Sequence, residues 1–214
     1  MSRLRIVIAT GNAGKLREFR LALERLDVEL LSARDAGIER FPEETGANYE
    51  ENALLKAGYA ALQSGLPALA DDSGLEVDVL DGAPGVYSAR FGGNLTDGER
   101  VAYLLEKMRE VPRGARGASF VSTVVLATPG GEVKSFVGEC RGEILEGPRG
   151  VGGFGYDPVF FNPELSKTFA EADGGAKGRV SHRGRAIQRF LEWALTPIGK
   201  RTMQERSPRR DAQL

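Results

Sequence analysis

Residues 4–9, Leu-Arg-Ile-Val-Ile-Ala, form an apolar run broken only by Arg5 and ended by Thr10-Gly11-Asn12. Such a run reads as a buried strand entering a tight turn. Leu16, Phe19, Leu23 and Leu26 then recur at helical spacing, which predicts a helix from about 13 to 26. A second short strand at 28–31 completes a βαβ-like opening. Asn48 with Glu51 three positions later has the form of a capping box, and the helix it starts runs to Ser64 with Gly65 as its stop. Pro67–Ala70 predicts a short strand that feeds Asp71-Asp72-Ser73-Gly74. Thr96 and Glu99 form a second capping box, opening a helix to about Glu110. Two β-rich segments, 119–128 and 132–144, flank Pro129-Gly130-Gly131 and predict an antiparallel hairpin. After a glycine-rich stretch comes the apolar run 159–161, then a last helix over about 184–195 that buries Ile187, Phe190, Leu191 and Leu195. Residues 197–214 are polar, basic and aperiodic, and read as a frayed or disordered tail. The chain has no internal repeat.

Strands alternating with helices, with a hairpin late in the chain, predict an α/β fold with a central mixed β-sheet and flanking helices. Residues 1–196 are expected to form a single domain of two lobes around a cleft. The 29 basic and 30 acidic residues nearly cancel, a balance that argues against a nucleic-acid binder. No apolar stretch approaches a membrane span, and the N-terminal run is too short for a secretory signal, so the expected location is cytoplasmic. Cys140 is the single cysteine, which excludes an intramolecular disulfide and suits a packing role in mid-strand. Glycine is the outlier: 28 residues are about twice the usual share, and many gather in short clusters of the kind that approach a ligand closely.

Four clusters carry candidate chemistry, and each falls at a strand end or helix start, where ligands of open α/β sheets bind. Thr10-Gly11-Asn12-Ala13-Gly14-Lys15 offers a helix N-terminus, two glycines and an ammonium group to an anion. It is not a P-loop, because Leu16 stands where a metal-binding Ser or Thr belongs. A tight strand-to-helix turn with an exposed lysine accounts for these residues equally well. Glu43-Glu44-Thr45-Gly46 precedes a helix on which Asn52 and Lys56 share one face; a solvated charged face is the plainer reading. Asp71-Asp72-Ser73-Gly74 places two carboxylates after an apolar strand, which suits magnesium or a turn that caps its own backbone. Gly152 to Pro158 surrounds Phe154 with glycines so that a flat ring can lie against backbone. His182 follows Ser181 too closely to form a nucleophile–base pair. A β-turn with a core aromatic and a helix-start histidine explains the last cluster as well. Together the clusters supply a phosphate cradle, cations, carboxylates and a slot for a base, the inventory of nucleotide hydrolysis.

The chain resembles the inosine triphosphate pyrophosphatase family in segments 9–19, 43–57, 70–91, 148–160, 168–171 and 181–186. Order and spacing hold from about residue 4 to residue 195, and Asp-Asp-Ser-Gly-Leu at 71–75 and Gly-Gly-Phe-Gly-Tyr-Asp-Pro at 152–158 are the most specific parts. The resemblance implies a mixed-sheet α/β fold with a deep cleft, a homodimer, and Mg2+-dependent hydrolysis of inosine, deoxyinosine and xanthosine triphosphates to monophosphate and pyrophosphate. It implies that Thr10, Gly11, Asn12, Ala13, Gly14, Lys15 and Lys56 hold the triphosphate. By the same resemblance Glu44 and Asp72 would bind magnesium, Asp72 would also act as general base, and Ser73 would touch the substrate. Phe154, Gly155, Tyr156, Asp157, Lys177, His182 and Arg183 would enclose base and sugar. Two departures stand out: Asn48 replaces the usual Thr, and Gly174-Gly175-Ala176 replace acidic residues, which predicts a looser loop before Lys177. The rival expectations are a related enzyme for other modified nucleotides and a nucleotide-binding module without catalysis.

Overall fold

The computed structural model describes residues 3–204. In chain order the elements are β1 (Leu4–Ile8), α1 (Ala13–Leu23), β2 (Val28–Ser32), α2 (Tyr49–Ser64) and β3 (Ala68–Val77), followed by 3-10 turns at Asp78–Leu80 and Gly85–Arg90. Then come α3 (Asp97–Lys107), a 3-10 turn at Arg113–Ala115, β4 (Gly117–Ala127), β5 (Val133–Ile144), β6 (Phe160–Asn162) and β7 (Lys167–Thr168). Helices α4 (Gly174–Val180), α5 (His182–Ala194) and α6 (Pro197–Gln204) close the described chain. The strands form one sheet in the order β2-β1-β3-β4-β5-β6-β7. β1 pairs in parallel with β2 and β3, whereas β5 with β6 and β6 with β7 are antiparallel, so the expected mixed sheet with flanking helices is present. No helix among the described residues is long and apolar enough to cross a membrane.

The chain divides into two compact units. Among the described residues, the first takes 3–72, Thr123–Phe136 and 186–204; the second takes Ser73–Ser122 and Val137–Arg185. In the first unit the two-residue period of a strand sorts side chains to opposite faces. Ile6, Ile8 and Leu69 pack with Phe19 and Leu23 of α1 and with Ile187 and Phe190 of α5. Val7, Ala9, Ala68 and Ala70 pack with Ala53, Ala57, Ala60 and Ala61 of α2. α2 starts at the Asn48 cap, whose side chain accepts from Glu51 N, and stops where Gly65 turns left-handed at φ 65°.

The second unit is built around Leu75, Val77, Leu104, Met108, Phe160 and Phe169, with Phe120 tilted onto Phe160 at 4.6 Å between ring centres. Cys140 is fully buried there, and burial pushes its thiol up to about 11, in keeping with a packing role. β4 and β5 flank a turn closed by Thr128 N donating to Glu132 O at 2.9 Å, as the Pro-Gly-Gly sequence predicts.

Four expectations change. Leu195, expected on the buried side of the last helix, lies just past the end of α5 and is exposed, because the helix stops at Ala194 and the chain turns into α6. β3 does not end at Ala70 but continues through Asp71-Asp72-Ser73 to Val77, because polar residues can occupy a strand when partners wait on both faces. Gly174-Gly175-Ala176 do not form a loose loop: they open α4, whose cap Asp173 accepts from Ala176 N at 2.7 Å. The reading of 197–214 as a tail is corrected for 197–204, which form α6. Thr196 accepts from Gly199 N at 3.0 Å, Pro197 stands at the first helical position, and Met203 is buried in the core under α1 and α5. Eight residues with one buried anchor are too few to reveal a period. The remainder of the predicted tail, 205–214, lies outside the described residues.

Candidate functional site

In the first unit the functional side chains follow from the faces of β3. Asp71 shares a face with Leu69, on the side of α1, and Asp72 shares a face with Ala70, on the side of α2. The acidic doublet is therefore split. Asp71 Oδ2 lies 3.2 Å from Lys15 Nζ, where Lys15 rises from the first turn of α1. That turn is held by Asn12, whose Oδ1 accepts from Lys15 N at 3.0 Å while Asn12 N donates to Thr10 Oγ1 at 3.2 Å. Thr10 to Lys15 thus form one capped strand-to-helix corner.

Asp72 meets α2. Its Oδ2 accepts from Asn52 Nδ2 at 3.0 Å, and its Oδ1 lies 3.8 Å from Lys56 Nζ. Lys56 also donates to Glu44 Oε1 at 2.5 Å, so one ammonium group joins the two carboxylates that the resemblance gives to a metal. Burial pushes the Asp72 carboxyl above the usual carboxylate range, against the opposing pull of Lys56 and Lys15. Glu44, Asp71 and Asp72 thus gather three carboxylates around the ammonium groups of Lys15 and Lys56. Among the described residues no group of three or more His, Cys, Asp or Glu side chains is arranged to hold a metal. The donor set here is two oxygen ligands, Glu44 and Asp72, which fits magnesium: that ion takes one or two carboxylates and completes its shell with water and phosphate.

In the second unit Asp157 is the organiser. Its Oδ2 accepts from Phe154 N at 2.9 Å and from Lys177 Nζ at 2.6 Å. At Gly153, φ is 73° and an added Cβ would stand 2.1 Å from Asp157 Oδ2, so only glycine lets the loop close on that carboxylate. Lys177 Nζ sits 4.8 Å from the centre of the Phe154 ring, and the Arg183 guanidinium sits 5.8 Å from it. Arg183 is buried and donates to Ser73 Oγ at 2.8 Å. His182 begins α5 and stacks on Phe120 at 4.6 Å; Ser181 is the cap before it, its Oγ accepting from Gly184 N at 3.1 Å. Tyr156 packs in the core and donates its hydroxyl to Ser88 O at 3.0 Å. It shapes the loop from below.

Within each unit, then, the structure gathers the residues named from the sequence. Thr10 to Lys15, Glu44, Lys56 and Asp72 fall in the first, and Ser73, Phe154 to Asp157, Lys177, His182 and Arg183 in the second. Sequence reasoning gave no role to Asn52, although its place one turn before Lys56 on the same face was legible. It missed Asp97, whose Oδ2 accepts from Gly155 N at 2.8 Å across 58 positions of sequence, and no local signal announces that contact.

Comparison with known proteins adds a separate line. Residues 6–193 match the model of the Ham1 family. The chain is 54% identical over 189 residues to the dITP/XTP pyrophosphatase of Thermus thermophilus, covering 88% of this chain and 91% of that protein. It is 56% identical over 182 residues to the dITP/XTP pyrophosphatase of Deinococcus deserti, covering 85% of each. Among solved structures, a HAM1 protein from Coxiella burnetii superposes with a TM-score of 0.79 at 41% identity, covering 88% of this chain and 97% of that one.

Proposed function

Because the chain belongs to the Ham1 family, and because Lys56 joins Glu44 to a buried Asp72, we propose that it hydrolyses non-standard purine nucleoside triphosphates. The substrates are inosine, deoxyinosine and xanthosine triphosphates, and the products are the nucleoside monophosphate and pyrophosphate. The dITP/XTP pyrophosphatases of Thermus and Deinococcus, both more than half identical to this chain, support the substrate class. The Glu44–Lys56–Asp72 cluster is the observation that carries the chemistry.

A water molecule attacks the α-phosphorus, the bond from that phosphorus to the bridging oxygen breaks, and pyrophosphate leaves. Asp72 takes the proton of the attacking water; its raised proton affinity suits a group that must accept one. Lys15 and Lys56 neutralise phosphate oxygens, and the backbone N–H groups at the start of α1 receive the far end of the triphosphate. Glu44 and Asp72 would hold magnesium, which would offset the charge of the triphosphate and lower the proton affinity of water at the site. Phe154 covers the purine, with Lys177 held in place by Asp157. Arg183, a donor-only group, selects a 6-oxo purine over adenine through O6 and N7. Ser73, bonded to Arg183, aligns it. The working form is a homodimer, as the sequence resemblance implies, and its expected place is the cytoplasm.

The test is pyrophosphate release from inosine, deoxyinosine, xanthosine, adenosine and guanosine triphosphates, each with and without magnesium. Rapid, magnesium-dependent turnover confined to the first three is expected. Binding of those nucleotides without pyrophosphate release would leave a nucleotide-binding module instead.

A further inference from the structure

We propose that Asn52 is a positioning residue that fixes the Asp72 carboxylate and ties it to the loop carrying Glu44. The proposal rests on the reading of Asp72 as base and metal ligand. Asn52 is fully buried in α2 and makes two unlike hydrogen bonds. Its Nδ2 donates to Asp72 Oδ2 at 3.0 Å, and its Oδ1 accepts from Gly46 N at 2.8 Å. A carboxylate requires a donor and a backbone N–H requires an acceptor; the Asn52 amide supplies one at each end, and the two partners leave it one orientation.

The consequence for Asp72 is directional. Oδ2 is committed to Asn52, which turns Oδ1 toward Lys56, the ammonium group that also holds Glu44. The consequence for the loop is steric. A Cβ at Gly46 would stand 2.7 Å from both Asn52 Oδ1 and Glu51 Cβ, so only glycine lets the loop lie this close to the start of α2 and to the Asn52 amide. Glu44, two residues before Gly46, is thereby anchored to the same side chain that aims Asp72. Partners that orient a metal-binding carboxylate in this way change activity or metal affinity by about 10–100-fold when lost.

The experiment has two arms. Asn52→Asp keeps an oxygen for Gly46 N–H and loses the donor to Asp72. With inosine triphosphate and saturating magnesium, kcat is expected to fall by about 10–100-fold while KM stays within roughly 3-fold. An unchanged kcat, or a loss confined to KM, overturns the proposal. The second arm needs neither substrate nor metal: Tm in chelator is measured for wild type, Asn52→Ala, Asp72→Ala and the double variant. The Asn52→Ala loss in Tm is expected to be smaller when Asp72 is already absent, and equal losses in both backgrounds overturn the coupling. Failure of the wider functional reading shows up differently, as wild-type protein that does not turn over inosine triphosphate while the Tm coupling stands.

Discussion

In the first unit, the carboxylates of Glu44, Asp71 and Asp72 gather around the ammonium groups of Lys15 and Lys56. In the second, Asp157 holds Lys177, and Lys177 and Arg183 both lie close to the Phe154 ring. On the proposed function, the first arrangement takes a divalent cation and then a phosphate chain. The second then offers cations and an aromatic face to a flat ring with acceptor oxygens. The two clusters are supported alike. Strand alternation sends Asp71 and Asp72 to opposite faces, and the long-range contacts of Lys15 with Asp71 and of Asn52 with Asp72 then fix them. The loop at Phe154 is closed locally by Asp157, which also holds Lys177 from 20 positions away. Each cluster combines a local device with tertiary contacts, and what separates them is what they present: carboxylates in one, an aromatic ring in the other.

The sharpest way to break this contrast is Asp72→Asn, which removes the proposed base and proposed metal ligand while keeping the shape. Turnover of inosine triphosphate is expected to fall by about 10²–10⁴-fold from the base alone, and further with weakened metal binding. The same variant should be more stable in chelator at neutral pH. Because burial raises the folded-state pKa of Asp72, the native protein binds that proton more tightly than the unfolded chain does. The carboxylate therefore costs stability above its folded-state pKa, and the cost disappears as pH falls below the unfolded value. A lower Tm for Asp72→Asn at neutral pH would contradict this account.

Lys15→Ala and Lys56→Ala come next. Loss of a charge-assisted bond worth about 1.5–3 kcal/mol corresponds to roughly 10–100-fold in kcat/KM for each. The double variant should fall short of the product of the two, because both act on one triphosphate. Unchanged kinetics in either variant assigns that lysine to structure alone. Arg183→Lys probes the second unit by keeping the charge and losing the planar fork. The ratio of kcat/KM for inosine over adenosine triphosphate is expected to narrow by roughly 10-fold, mainly through slower inosine turnover. A preserved ratio removes Arg183 from base selection. Met203→Ala has the smallest expected effect on catalysis. It should lower stability by about 2 kcal/mol and leave kcat unchanged, as denaturant unfolding and steady-state assays together will show. Wild-type stability would mean that α6 does not support the core of the first unit.

Much of this was legible along the chain. The capping pairs Asn48/Glu51 and Thr96/Glu99 announced α2 and α3, and both form as capped helices. The apolar run before Thr10 announced β1, and Pro129-Gly130-Gly131 announced the hairpin. These features depend on interactions within four or five residues, so sequence alone determined them. The clusters around Lys15, Glu44, Asp72 and Phe154 were visible for the same reason: glycines, caps and paired charges advertise themselves locally. Tertiary structure alone decided that Asp71 and Asp72 serve opposite faces, that Asn52 joins Asp72 to Gly46, and that Asp97 holds Gly155. It also decided that 197–204 fold as a helix, since the stabilising partner of Met203 is a core assembled from distant segments. A buried polar side chain is placed by the partners that offset its desolvation, and those partners are brought to it only when the strands and helices have packed.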